Sequence, residues 1–264
     1  MKLSFSKYQG TGNDFIIADD RENKIQLSGK QVKWLCNRRF GIGADGLILL
    51  RNLTGFDFEM VYYNSDGNES SMCGNGGRCI TAFADKLNKI TDKAIFSAID
   101  GKHEALITGH SPLVVKLKMG EVNAMEDHPD FVYLNTGSPH FVKFVNDVSE
   151  VDVVSEGRKI RNSERFKEIG TNVNFVQTTV GGLIVRTYER GVEDETLSCG
   201  TGVTASALAA VQKNKVAGEN NVIDIFTPGG KLKVYFERNN AGFKNIWLEG
   251  EAKFVFDGEV EVGN

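Results

Sequence analysis

Two stretches of this chain share one short pattern: Cys73-Gly74-Asn75-Gly76 and Cys199-Gly200-Thr201-Gly202. They lie 126 residues apart (199 minus 73), and the same offset pairs two further identities, Tyr62 with Tyr188 and Glu69 with Glu195. Five identities in this fifteen-residue stretch exceed the roughly one that average composition gives. We interpret the chain as two related halves, with coincidence among glycine-rich turns as the alternative.

The match extends outward at nearly the same offset, with Thr11-Gly12 over Thr136-Gly137 and residues 43–49 over 170–176. Within each half, β-branched and aromatic runs predict strands, and apolar residues at helical spacing after each cysteine predict a helix. The helix after Cys199 is apolar nearly all round, which predicts that it is buried. The predicted strands are Phe58–Tyr63, Leu183–Tyr188, Leu113–Leu117, Lys231–Phe236 and Ile246–Glu251.

Composition places the chain among ordinary globular proteins. Its 264 residues are 41% hydrophobic and 25% charged, which argues against a disordered, collagenous or coiled-coil chain. The net charge of -4 gives no electrostatic footprint for nucleic acid or an anionic membrane. The amino-terminal residues lack an apolar signal region, and Leu47–Leu50, the longest aliphatic stretch, is too short to span a bilayer. We expect a cytoplasmic protein with no nucleic-acid or membrane partner.

The four cysteines are too few and too scattered for a disulfide framework in a chain of this length, so we expect thiols. Free cysteine often merely packs in a core, and we favour that role for Cys36 and Cys79. For Cys73 and Cys199 the shared Cys-Gly-x-Gly pattern favours a functional role over mere packing. Each precedes a helix start, where unpaired N–H groups and the helix dipole favour anions such as a thiolate or a ligand carboxylate.

A pair of such thiols suits proton transfer at a stereocentre. If the halves are related by an approximate two-fold axis, one bound carbon sits between two sulfurs. A thiolate then removes a proton from one face while the partner thiol delivers a proton to the other, and the reverse reaction exchanges the roles.

Other chemistries have weaker signals. The segments Gly10–Phe15 and Gly41–Gly46 lack the spacing of a dinucleotide-binding loop. The four histidines show no metal-ligand spacing, so we predict neither a cofactor nor a metal. Only His140 lies near a candidate site, and a structural role for it is equally open.

At these residues the sequence closely resembles the diaminopimelate epimerases, which are amino-acid epimerases that need no cofactor. The resemblance covers nearly the whole chain and is most specific in the two cysteine blocks with Glu189-Arg190 between them. The matching segments are 12–15, 64–67, 72–79, 137–140, 172–175, 188–191 and 199–202.

The resemblance implies an α/β (α+β) fold of two pseudo-symmetric domains, each a mixed, mostly antiparallel β-sheet or barrel wrapped around a central helix. We expect a first domain over residues 1–118 with Cys73 and a second over 119–251 with Cys199, with 252–264 a candidate addition to the first. The implied reaction interconverts LL- and meso-diaminopimelate for lysine and peptidoglycan-precursor synthesis, without pyridoxal phosphate or metal, in a homodimer.

Carried over residue by residue, the resemblance makes Cys73 and Cys199 the acid/base pair. The backbone N–H groups at the two helix starts would bind the reacting carboxylate, and five side chains would bind the rest of the substrate. The N–H groups are those of Gly74, Asn75, Gly200 and Thr201, and the side chains are Asn13, Asn64, Asn172, Glu189 and Arg190. For Glu189 and Arg190, a surface ion pair at a strand end is the alternative.

Two departures from the family pattern bear on substrate contacts. Ser138 stands where family members commonly have Asn before Pro-His, so we expect a shorter or water-mediated contact there. The stretch from Glu189 to Cys199 is one residue longer than the common pattern, and we expect a different path for it.

Three other functions are open from the residues. A proline racemase shares the two-cysteine logic but typically has His where Asn75 stands. A phenazine-biosynthesis-like isomerase lacks the thiol pair. A non-catalytic amino-acid-binding protein would have no need of both thiols.

Overall fold

The computed structural model describes residues 1–216, 221–240 and 242–263. Its helices are α1 (Gly29–Cys36), α2 (Gly74–Lys86), α3 (Val153–Arg161) and α4 (Gly200–Gln212), with a 3₁₀ turn at Val148–Glu150. Its strands are β1 (Lys2–Gly10), β2 (Asn13–Asp19), β3 (Gly46–Arg51), β4 (Phe58–Asn64), β5 (Lys93–Ala98), β6 (Gly101–His110), β7 (Leu113–Lys118), β8 (Met125–Asp127), β9 (Val132–Asn135), β10 (Pro139–Phe144), β11 (Asn172–Thr179), β12 (Gly182–Glu189), β13 (Asp194–Thr196), β14 (Val222–Thr227), β15 (Gly230–Asn239), β16 (Gly242–Glu251) and β17 (Lys253–Glu261).

The chain forms two compact units, unit 1 from Met1–Leu117 with Gly250–Asn264 and unit 2 from Lys118–Glu249. Every strand and both helices predicted from the sequence are present. The helices α1 and α3 were not predicted. Each begins with a capping side chain, since Ser28 accepts from the backbone N–H of Gln31 and Asp152 from that of Ser155. Such caps are a usable sequence signal for a helix start.

In unit 1 the strands pair in the order β17, β1, β2, β3, β4, β5, β6 and β7. The pairs β2/β3 and β4/β5 are parallel, and the others are antiparallel. A parallel pair needs a crossover connection, and α1 and α2 lie in these two connections.

Unit 2 repeats this order with β8, β9, β10, β11, β12, β14 and β15. Here β10/β11 and β12/β14 are the parallel pairs, and α3 and α4 lie in the connections. Helix α4 begins 126 residues after α2 (200 minus 74), which is the same offset that separates Cys199 from Cys73. The succession of β9 to β15 with α3 and α4 therefore matches that of β1 to β6 with α1 and α2, except for the short strand β13 of unit 2.

Each central helix is buried because the sheet wraps around it. Eleven of the thirteen residues of α2 and ten of the thirteen of α4 are buried. Helix α2 packs on β1, β2, β3 and β6, and α4 on β9 to β12 with β14 and β15. Cys73 directly precedes α2 and Cys199 directly precedes α4, and the backbone of each cysteine is extended.

The strands next to these helices are buried on both faces. In unit 1, Ile16 and Leu47 belong to a cluster with Val32 and Leu35 of α1, whereas Phe15 and Ile48 approach Gly76 of α2. Alternation along a strand sends neighbouring side chains to opposite faces. The same alternation decides which side chains reach the start of each central helix.

Candidate active site

The cysteine of unit 1 lies beside an amide network. Cys73 Sγ is 3.5 Å from Asn13 Oδ1, which also accepts from Asn75 Nδ2 at 3.2 Å. Asn13 Nδ2 donates to Asp45 Oδ2 at 2.6 Å, which fixes the orientation of its amide. Three of the residues expected at the site are therefore in direct contact.

Asn64 joins this group through the backbone. It ends β4 opposite Gly46, the residue after Asp45, and the N–H of Ser65 donates to the Asp45 carbonyl at 3.0 Å. Asp45 therefore bonds to Asn13 through its carboxylate and to Ser65, the residue after Asn64, through its backbone carbonyl.

Acidic groups near this network are neutralised locally. Asp14 pairs with Lys7 at 2.8 Å and with Arg38 at 2.6 Å, and Arg38 also pairs with Asp45. Burial opposes ionisation of Asp14, but the bonds from Arg38 and Lys7 prevail and hold its pKa at about 2. Asp14 is therefore charged at neutral pH, and it serves the local structure.

The other two cysteines of unit 1 lie in the core. Cys36 and Cys79 are buried, and burial raises the pKa of each thiol to about 12. A thiol with so high a pKa is a poor nucleophile or metal ligand at neutral pH, which agrees with the packing role expected for both.

In unit 2, Cys199 is 8% exposed, and its Sγ lies 3.4 Å from Thr201 Oγ1. Thr136 Oγ1 donates to the Thr201 carbonyl at 2.8 Å, which ties the first turn of α4 to the loop before β10. The N–H groups of Gly200 and Thr201 are in that first turn, where no intrahelical acceptor exists. The cysteine side chain does not cap them, so they suit an external anion.

A polar layer lies under this helix start. An added Cβ on Gly202 would meet Asn174 Oδ1 at 2.3 Å and His140 Cε1 at 3.3 Å. Asn174 accepts from Thr187 Oγ1 through Oδ1 and donates through Nδ2 to Phe141 O and His140 Nδ1. Nδ1 is then the acceptor and Nε2 carries the proton, by the hydrogen-bond network. Glycine at 202 permits this close approach.

His140 is fully buried, and its Nε2 has no hydrogen-bond partner in the part of the chain that the structure describes. Burial, with a smaller contribution from Arg190, lowers its pKa to about 3. The ring is therefore neutral at physiological pH. Its Nδ1 is satisfied, as a structural histidine would be, but its Nε2 is not.

The expected substrate-binding residues of unit 2 form a second network. Asn172 Nδ2 donates to Ser138 Oγ at 2.9 Å, and Asn172 Oδ1 accepts the Arg190 backbone N–H at 2.9 Å. The Arg190 guanidinium donates to Ile169 O at 2.9 Å and to Ser138 Oγ at 3.5 Å. Ser138 therefore contacts both residues, a role the sequence did not indicate.

Glu189 ends β12 and accepts from Thr196 Oγ1 at 2.8 Å. Thr196 lies on β13, which pairs with β12 as a hairpin. This hairpin lies in the stretch that we expect to be longer than the family pattern, and Glu193 takes a positive φ of 59° at its turn. The strand pairing, which the sequence analysis did not predict, sets the path of residues 189–196 and orients Glu189.

No group of three or more His, Cys, Asp or Glu side chains that could hold a metal ion occurs among the described residues. Among those residues, no helix is long and apolar enough to cross a membrane.

Comparison with known proteins identifies the family. The family model for diaminopimelate epimerase matches residues 5–125 and 132–255. The chain belongs to the diaminopimelate epimerase family. It is 54% identical over 260 residues to the diaminopimelate epimerase of Flavobacterium psychrophilum, covering 97% of this chain and 99% of the relative. It is 41% identical over 260 residues to that of Chlorobaculum tepidum, covering 95% and 98%. The predicted family is confirmed.

Solved structures show a shared fold. A phenazine biosynthesis protein of the PhzF family from Bacillus anthracis has a TM-score of 0.77 at 14% identity, covering 99% of this chain and all of that one. A hydroxyproline epimerase from Agrobacterium vitis, with bound trans-4-hydroxy-L-proline, has a TM-score of 0.68 at 14% identity, covering 98% and 91%. The predicted fold class is confirmed. Sequence identity this low shows only that the fold is shared. The alternative of a proline racemase-like enzyme therefore has less support than membership of the epimerase family.

Proposed function

We propose that this chain is a diaminopimelate epimerase, an isomerase that interconverts LL- and meso-diaminopimelate in lysine and peptidoglycan-precursor synthesis. The observation that carries the proposal is the equivalence of Cys73 and Cys199. Each is the extended residue before a buried thirteen-residue helix at the same place in its unit. Family membership supplies the substrate.

In the proposed reaction the two cysteines act on one α-carbon from opposite faces. A thiolate takes the α-hydrogen as a proton and becomes a thiol, which leaves a carbanion. The other thiol gives its proton to the opposite face and becomes the thiolate, so the proton count of the enzyme is unchanged. The reverse reaction uses the same pair with exchanged roles.

The two helix starts suit the reacting carboxylate. The N–H groups of Gly74 and Asn75 in unit 1, and of Gly200 and Thr201 in unit 2, lie in first helical turns. Fixed N–H dipoles stabilise negative charge that develops next to them, at no cost of reorganisation. We propose that they hold the carboxylate of the reacting centre and stabilise the carbanion.

The remaining side chains suit the distal amino-acid end. A substrate with a second zwitterionic centre needs a guanidinium for its carboxylate, a carboxylate for its ammonium, and amides that donate and accept. We assign these roles to Arg190, to Glu189 and to the amides of Asn13, Asn64 and Asn172. The proton transfer is proposed to use only the chain's own groups, without pyridoxal phosphate or a metal.

We further propose that the functional domains are residues 1–118, with 252–264 added, and 119–251. The pairing of β17 with β1 supports the addition. We also propose that the enzyme works as a homodimer in the cytoplasm, as its family resemblance implies. Sedimentation of the purified chain at several concentrations tests the dimer.

The reaction is tested with LL-diaminopimelate in D₂O and no added cofactor. We expect the meso product to carry deuterium at the inverted centre in the first turnovers, while recovered substrate stays protiated. Cys73→Ala and Cys199→Ala should each lower turnover by about 10²-fold or more, and Cys36→Ala is the matched control with normal turnover. L-Proline is the comparison substrate. Exchange with proline alone, or near-normal turnover in either catalytic variant, would overturn the proposal.

A further inference from the structure

Arg78 is a buried cation that the proposed reaction does not use. It lies on α2 and is fully buried. In residues 1–216, 221–240 and 242–263 its guanidinium forms no ion pair with a carboxylate, and its Nε has no hydrogen-bond partner. A buried charge without a counterion is costly. The surroundings of Arg78 should therefore contain the place for an anion.

The guanidinium is directed to the start of α2. Its Nη1 donates to Gly74 O at 3.2 Å, and its Nη2 donates to Asn75 Oδ1 at 2.9 Å and to Thr11 Oγ1 at 3.3 Å. Asn75 in turn donates to Asn13, whose Oδ1 lies 3.5 Å from Cys73 Sγ. Burial lowers the pKa of the Arg78 guanidinium, and negative charge on the sulfurs of Cys79 and Cys73 would oppose that lowering. Of these two, Cys79 is the thiol whose own pKa burial raises to about 12.

The other charged groups around Cys73 are four side chains that form ion pairs with one another and the carboxylate of Asp100. On β1 and β2, Lys7 pairs with Asp14, and Arg38 bridges Asp14 and Asp45. Beside β6, Asp100 accepts the Met72 N–H and contacts His103 Nε2 at 3.1 Å. His103 balances Asp100 only when the imidazole is protonated, so Asp100 opposes a thiolate at Cys73. Arg78 is the buried cation in this described surrounding with no ion-pair partner. Together with the dipole of α2, it makes the start of this helix electropositive.

Unit 2 lacks this charge. The offset that aligns Cys73 with Cys199 places Thr204 where unit 1 has Arg78. Thr204 Oγ1 donates to Gly200 O at 3.0 Å, the counterpart of the bond from Arg78 to Gly74 O. The imidazole that lies beneath α4, His140, is neutral because burial lowers its pKa to about 3. Arg190 is the cation that acts on His140, but its side chain is exposed, where solvent screens the charge. The two helix starts are thus alike in backbone, and the buried cation is in unit 1.

We propose that Arg78 is a positioning residue that makes Cys73 the resting thiolate and leaves Cys199 as the resting thiol. The inference rests on the proposed function, and it states which cysteine is deprotonated and which is protonated in the free enzyme. The contact of Cys73 with Asn13 Oδ1 opposes it, because only the thiol form donates. Sulfur is a weak hydrogen-bond donor, and we expect a buried charge to outweigh that bond.

The test measures the thiols of the free protein, without substrate. Alkylation by iodoacetamide, in which the thiolate displaces iodide, is followed against pH by mass spectrometry. The Cys199→Ala variant reports Cys73, and the Cys73→Ala variant reports Cys199. We expect the rate midpoint of Cys73 to lie at least about one pH unit below that of Cys199, the size of shift a nearby charge produces.

Variants at 78 then separate charge from structure. Arg78→Met in the Cys199→Ala background should raise the Cys73 midpoint by about one unit or more, and Arg78→Lys should restore most of the shift. The matched control is Thr204→Val in the Cys73→Ala background, which should leave the Cys199 midpoint unchanged.

Equal midpoints in the two single-cysteine variants, or a lower one for Cys199, would overturn the inference even if Arg78→Met failed to fold. A normal Cys73 midpoint in folded Arg78→Met would overturn the role of Arg78. Turnover of diaminopimelate does not enter the measurement, so a failed epimerisation assay and a failed midpoint assay remain distinct.

Discussion

Asn172 Oδ1 accepts the backbone N–H of Arg190 at 2.9 Å. The buried amide of Asn172 therefore fixes the backbone position of Arg190, the residue that follows β12. The other end of the same amide donates to Ser138 Oγ and to Pro139 O. Asn172 is 3% exposed. It therefore joins three segments of unit 2, besides the substrate contact proposed for it.

Asn172→Ala should weaken both stability and substrate affinity. The change leaves the Arg190 N–H without its acceptor and removes one of the two donors to Ser138 Oγ, and an unsatisfied buried group costs about 1–3 kcal/mol. We expect a loss of this size in the free energy of unfolding and a raised KM for diaminopimelate. Urea unfolding and initial rates measure the two effects. Asn52→Ala, which removes one exposed bond to Arg21 O, is the control and should change neither.

Much of this site could be predicted from the sequence because it depends on local pattern. The cysteine-glycine blocks mark the starts of α2 and α4, and apolar spacing marks the helices. The contacts that Arg78 and Ser138 make with distant segments could not be predicted in this way. Arg78 bonds to Thr11 besides its bonds within α2, and Ser138 bonds to Asn172 and Arg190. Such partners are brought together only by the pairing of distant strands.

Gly202→Ala should destabilise unit 2 through one close contact. The added Cβ would stand 2.3 Å from Asn174 Oδ1, and that oxygen is held by Thr187. Overpacking of a buried site costs about 1–3 kcal/mol, and the displaced Asn174 would also disturb His140. Thermal unfolding measures the loss. Gly120→Ala is the control, since its Cβ meets nothing within 4 Å. Equal unfolding temperatures for the two variants would contradict the close packing.

Cys36 and Cys79 should be inert thiols. Burial raises both pKa values to about 12, so few thiolates exist at pH 8 and reagents have no access. We expect iodoacetamide at pH 8 to modify Cys73 and Cys199 in the folded protein, and all four cysteines after denaturation. Cys79→Ala should keep normal turnover. Modification of Cys79 in the native protein, located by peptide mass spectrometry, would contradict this assignment.

His140 should make the protein less stable in acid. In the folded chain its pKa is lowered to about 3, whereas the unfolded side chain titrates near 6.5. Between these values the unfolded chain binds a proton that the folded chain does not. The stability that His140 contributes is therefore complete above pH 6.5 and is lost as the pH falls toward 3, by up to about 1.4 kcal/mol per pH unit.

Replacing His140 tests this slope directly. His140→Gln keeps a polar side chain against Asn174 but cannot take up the proton, so its free energy of unfolding should fall less steeply between pH 6.5 and 4 than that of the native protein. At pH 7.5 the variant should be the less stable one, because the Asn174 contact is imperfectly replaced. Urea unfolding at each pH measures both. His110→Gln, at a side chain that is 60% exposed, is the matched control. If the His140 variant and the native protein lost stability in parallel as the pH fell, other groups would have to account for the acid sensitivity.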